Sequence, residues 1–110
     1  MGDGATVRSI MYGSDFAFGV LAALARGEPR TTYNLGSPEA IDLGSLARMI
    51  TQFFLPVPEI RTRLGQVGHD RTRLVPAIDR AAAGLGLKVS VPLSEALQRT
   101  IAWNRFIQNK

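Results

Sequence analysis

The chain has no cysteine, one histidine and one tryptophan in 110 residues. Without thiols there is no disulfide and no thiolate chemistry, and one imidazole cannot build a zinc site of the Cys/His kind. Glycines number 11, but no closely spaced glycine pair stands where a strand runs into a helix, the place at which a dinucleotide pyrophosphate approaches the backbone. Gly2-Asp3-Gly4 precedes a strand, and Gly84-Leu85-Gly86 follows a helix. Lysine is scarce too. Four positions before Lys88 and Lys110 stand Gly84 and Phe106, so no tyrosine is paired with a lysine one helical turn later. The serines lack a glycine-elbow setting, and Asp15, Asp42, Asp70 and Asp79 each read as turn or helix-start residues. The sequence therefore offers no catalytic residue and no metal site. No apolar run is long enough to cross a bilayer, and MGDGATVRSI has no signal-peptide core. The expectation is a soluble, cytoplasmic protein.

What is present is one core's worth of apolar residues, 45% of the chain, which sets residues 1–110 as a single domain. The formal net charge is +4. Much of the excess lies between Arg61 and Arg80, where Arg61, Arg63, Arg71, Arg73 and Arg80 face only Asp70 and Asp79. Arginine's planar fork suits phosphate or carboxylate. A phosphate-bearing small molecule satisfies such a cluster, whereas nucleic acid is not expected, because no aromatic residues interleave with the arginines.

The patterning predicts alternating strands and helices. Val7 to Tyr12 reads as a strand, and Asp15 to Arg26 as a helix buried on most sides. Thr31 to Leu35 reads as a second strand ending at Gly36. Leu43 to Phe54 carries a helical apolar period, Glu59 to Arg63 alternates like a strand, and Leu64 to Thr72 is a glycine-punctuated loop. A short helix is expected from Pro76 to about Leu85, and a final one from Pro92 to about Ile107, with Trp103 facing the core.

Read in order, these segments resemble the C-terminal, substrate-binding part of the extended short-chain dehydrogenase/reductase family, the nucleotide-sugar epimerases and dehydratases. GDGATVRSIMYGSDFA is similar to that family's Gly-Asp-Gly, Arg, strand, Asp, helix passage. TTYNLGSPEAIDLGSLARMI resembles its Tyr-Asn-Ile-Gly strand and following helix. VGHDRTRL resembles the Pro-Gly-His-Asp-Arg loop of dTDP-glucose 4,6-dehydratases, and PAIDRAAAGLGLKVSVPLSEALQRTIAWNRF the closing helices. The departures are Gln66-Val67, where those dehydratases usually carry Arg-Pro, a spacing one residue longer after Arg71, and Ala77, where an aspartate is common.

The resemblance implies an α/β fold of about four helices with short strands, equivalent to the substrate-binding subdomain without the Rossmann half. It implies that Arg8 contacts a substrate diphosphate, that Asn34 lies at the nucleotide, and that Gly68 and His69 belong to a loop closing over it. Arg71 and Arg73 follow that loop as further substrate contacts. NAD is the cofactor of the full-length family. Its site, with the catalytic tyrosine and lysine, would lie upstream of Met1, so this chain is expected to bind a nucleotide diphosphate sugar weakly, to hold no cofactor and not to catalyse alone. The alternative is a stand-alone, self-associating interaction module that keeps the fold without the ligand. In the family the helices after Asp15 and Leu43 pack on the cofactor half. The expected partner is therefore that upstream half, or a second copy meeting through edge strands or the faces that carry Phe16, Val20 and Leu46.

Overall fold

The structure is a computed structural model that describes residues 3–62 and 72–110. Its elements are β1 (Val7–Ser9), α1 (Gly13–Arg26), β2 (Ala40–Asp42), α2 (Leu43–Thr51), β3 (Arg73–Leu74), α3 (Asp79–Leu85) and α4 (Leu93–Gln108). Four helices and a three-stranded sheet match the α/β class expected. The sheet order is β2-β1-β3. Strand β1 runs antiparallel to β2, with Arg8 opposite Ile41, and parallel to β3, with Arg8 opposite Leu74.

Each helix boundary has a local cause. Asp42 caps α2, accepting the Ser45 N–H at 2.8 Å and the Ser45 hydroxyl at 2.6 Å. Those bonds hold the Asp42 carboxyl below its ordinary range, the side-chain bond from Ser45 being the larger cause. Gly86 ends α3 in the left-handed conformation, φ 69°, as a glycine C-cap does. Helix α1 starts two residues earlier than expected and has no side-chain cap at Tyr12. Asp15 is thus not the cap that its sequence position suggests. It sits in the first turn, 5% exposed, and accepts the backbone N–H groups of Ser90 and Val91, each at 3.0 Å. One carboxylate so fastens the segment leading into α4 to the start of α1.

The core is small: Ala22, Ala81, Leu85 and Leu87 are buried together, with Met11, Ala23, Tyr33, Leu35 and Ile78 packed around them. Helices α1 and α3 meet through small residues, and the Arg26 guanidinium donates to the Leu85 carbonyl at 3.1 Å. At Gly19 a Cβ would come within 3.2 Å of both Leu35 and Leu87. That near-contact sets how closely α1 lies on the core. Helix α4 is held at its N-terminal end by the Asp15 link and by Arg99 over the Tyr12 ring, and farther on by Arg105, which donates to the Phe53 carbonyl and lies over Phe54.

Several expectations are corrected. Residues 31–35 alternate in burial as a strand would, but they form no strand, because they pair with no other backbone segment among the described residues; the strand is β2, five residues later. Residues 59–62 are exposed and form no strand among the described residues, and Arg63 lies outside them. Helix α1 is not buried on most sides: Phe16, Phe18, Val20, Leu21 and Leu24 are all exposed. Trp103, expected in the core, is 60% exposed, because α4 runs past the body of the fold. Leu46 is half-buried on α2.

Candidate functional site

Two of the six sequence-derived site residues come together. Arg8 on β1 and Asn34, in the segment after α1, line one open groove of about 520 Å³, whose walls are Ser9, Met11, Leu35, Gly36, Leu74, Val75 and Pro76. The lining joins a few polar groups to largely aliphatic walls, the usual character of a small-molecule site.

Three elements build it. Strand β1 presents Arg8 and Ser9. The Ser9 hydroxyl donates to the Ser37 carbonyl at 2.7 Å and accepts the Ser37 N–H at 2.9 Å, drawing the 34–37 segment alongside. Gly36 lies so close to the third wall that a Cβ there would fall 2.5 Å from Pro76 Cγ. Asn34 reaches the same wall through its side-chain amide, which donates to the Ala77 carbonyl at 3.3 Å.

Arg8 is half-buried and fixed. Its Nη1 donates to the Val7 carbonyl at 2.9 Å and the Thr72 carbonyl at 3.2 Å, and its Nη2 donates to the Thr72 hydroxyl at 3.0 Å. Thr72 therefore takes the end-on pair of N–H groups. Of the five donors, Nε–H and one Nη2–H remain, and these two are parallel, forming the side-on fork that matches two oxygens of a phosphate.

The other site residues divide. Arg73 is exposed on β3 and is not among the residues lining the groove; Leu74 beside it is. Gly68, His69 and Arg71 lie outside the described residues. Thr72, Ser9 and Pro76 are parts of the site that the sequence did not reveal. Thr72 is 64 positions from Arg8, and the parallel β1–β3 pairing that brings them together involves two residues of β3, too few for a period. Among the described residues there is no cluster of side chains able to hold a metal, and no helix is long and apolar enough to cross a membrane.

No protein-family model matches the chain. UDP-glucuronic acid decarboxylase 1 of Xenopus tropicalis is 35% identical over 104 residues, 94% of this chain and 24% of the relative. Human dTDP-D-glucose 4,6-dehydratase is 27% identical over 109 residues, 94% of this chain and 31% of the relative. UDP-glucose 4-epimerase of Thermotoga maritima, solved with UDP-glucose, superposes with a TM-score of 0.86 at 23% identity, covering 98% of this chain and 34% of that one. The chain's relatives are nucleotide-sugar epimerases and dehydratases of the extended short-chain dehydrogenase/reductase family. It spans only about a quarter to a third of their length. The resemblance of GDGATVRSIMYGSDFA and the later motifs to this extended family thus holds across nearly the whole chain, at the level of relatives and of fold.

Proposed function

We propose that this chain is a nucleotide-sugar-binding segment of an extended short-chain dehydrogenase/reductase, equivalent to its C-terminal substrate-binding portion, and that it takes the diphosphate of a dTDP- or UDP-sugar at the Arg8 fork. The observation that carries this is the side-on fork of Arg8, held by Thr72 beside Asn34 in one aliphatic groove. A diphosphate laid along the fork puts its nucleoside or its sugar against Leu35, Leu74 and Pro76. Arg73, with Gly68, His69 and Arg71 in the segment before it, supplies further contacts in this reading.

Catalysis is not part of the proposal. The chain has no tyrosine-lysine pair and no glycine turn for NAD, so redox chemistry at the sugar belongs to a cofactor-binding half that this segment would complete. The partners proposed are thus a nucleotide diphosphate sugar and either that half or a second copy, in the cytoplasm.

Backbone amide shifts in the NMR spectrum on titration with UDP-glucose test the site. The expected result is a contiguous set of shifts at Ser9, Asn34, Leu35 and Gly36. Shifts confined to α4, or none at millimolar ligand, would contradict it.

A further inference from the structure

The groove is uneven in what its side chains offer a ligand. Its polar side chains are those of Arg8, Ser9 and Asn34, and the other lining residues are glycine or apolar. Arg8 offers donors only, and the two N–H groups that Thr72 leaves suit an anion. Ser9 has no hydrogen to give. Its hydroxyl donates to the Ser37 carbonyl at 2.7 Å while its oxygen accepts the Ser37 N–H at 2.9 Å.

Asn34 differs from both. The Ala77 carbonyl can only accept, so the amide atom 3.3 Å from it is the nitrogen, and this settles which way the carboxamide is turned. Ala77 does not line the groove, so the bond anchors the amide from outside it. What Asn34 keeps for a ligand is Oδ1 and one N–H of Nδ2, neither with a partner among the described residues. A carbonyl oxygen beside an N–H is a pattern that a hydroxyl completes, because a hydroxyl both donates and accepts. A phosphate oxygen completes only half of it. It accepts from Nδ2 but sets its negative charge beside the lone pairs of Oδ1.

We propose that Asn34 is a specificity-determining residue of this groove, accepting a hydroxyl of the bound ligand at Oδ1 while Arg8 takes the phosphate. This rests on the reading of the groove as a nucleotide-sugar site and narrows it: the ligand is a phosphate ester whose sugar hydroxyl is read directly. A bare diphosphate leaves Oδ1 unmatched. A nucleotide sugar carries hydroxyls on both sides of its diphosphate, so the ribose and the hexose are the two sources to be told apart.

Dissociation constants from NMR titrations, which reach the millimolar range, test the proposal on wild type, Asn34→Ala and Asn34→Leu with UDP-glucose, UDP and inorganic pyrophosphate. Pyrophosphate has no sugar hydroxyl, so its affinity reports on Arg8 and on the shape of the groove alone. Both variants, at an exposed position, are expected to bind UDP-glucose about 2- to 10-fold more weakly, the effect of one neutral hydrogen bond, and pyrophosphate as wild type does. An equal loss with UDP assigns the hydroxyl to the ribose; a loss with UDP-glucose alone assigns it to the hexose. Equal weakening of all three ligands, as a phosphate contact or a displaced wall would give, overturns the proposal, and so does weakening of none. Arg8→Ala, titrated in parallel, separates the two ways of failing. If it weakens all three ligands while the Asn34 variants weaken none, only the hydroxyl assignment falls; if it too weakens none, or if UDP-glucose binds no protein, the nucleotide-sugar reading falls with it.

Discussion

Replacing Asp15 by alanine removes the acceptor for two backbone N–H groups, those of Ser90 and Val91, at a site 5% exposed. Hydrogen bonds to a charged group contribute about 1.5–3 kcal/mol each, and a buried donor left without a partner costs about 1–3 kcal/mol. The two bonds share one acceptor and some water will enter, so a loss of about 3 kcal/mol is the expectation, near the lower end of the combined range. For a chain of this length that corresponds to a fall in Tm of about 12 °C. Differential scanning calorimetry of wild type and Asp15→Ala at one protein concentration measures it, the fixed concentration removing any contribution from association. Ser90→Ala is the control. Its backbone N–H still donates, and its side chain makes no bond to Asp15, so its Tm should lie within about 2 °C of wild type. An Asp15→Ala protein as stable as Ser90→Ala would refute the claim that this carboxylate fastens the entry of α4 to α1.

Asp42, whose carboxyl is held below its ordinary range by Ser45, should make capping of α2 depend on pH. Because the folded-state value is the lower one, the stability difference between wild type and Asp42→Ala should be constant above about pH 5 and shrink as pH falls below about 4; urea titrations across that range check the sign. Gly36→Ala should destabilise the fold by about 1–3 kcal/mol, as its Cβ meets the rigid Pro76 ring at 2.5 Å, and should lower nucleotide affinity because the wall carrying Pro76 has to move. Thr72→Val removes the hydroxyl that holds Nη2 of Arg8, so the affinity for UDP should fall about 5- to 10-fold with Thr72→Ser retaining most of it; equal affinities of Val and Ser variants would show that the hydroxyl does not position the guanidinium.

The helices were legible because each carries its own periodicity and stops: Asp42 before Leu43, Gly86 after Leu85 and Pro92 before Leu93 are all local signals. The sheet was not. Strandness needs a partner, and Thr31 to Leu35, with strand-like alternation in sequence and in burial, finds none, while the two residues of β3 become a strand only because β1 lies beside them. Trp103 and the α1 residues misled for a related reason. Helical period identifies an apolar face but not whether this chain supplies what covers it. In the site, Arg8 and Asn34 were found through resemblance to the family motifs. Thr72 went unseen because its role depends on a contact spanning 64 positions and on which two of five guanidinium donors it leaves free.

The most direct test of the account is calorimetric titration of UDP into wild type and Arg8→Ala side by side, with uridine as the ligand lacking phosphates. Binding should be weak in wild type, about 10- to 100-fold weaker in Arg8→Ala, the loss of a bidentate charge-assisted contact, and undetectable for uridine. Equal affinity of the two proteins for UDP, or binding of uridine as strong as that of UDP, would contradict the assignment of the Arg8 fork as the diphosphate site.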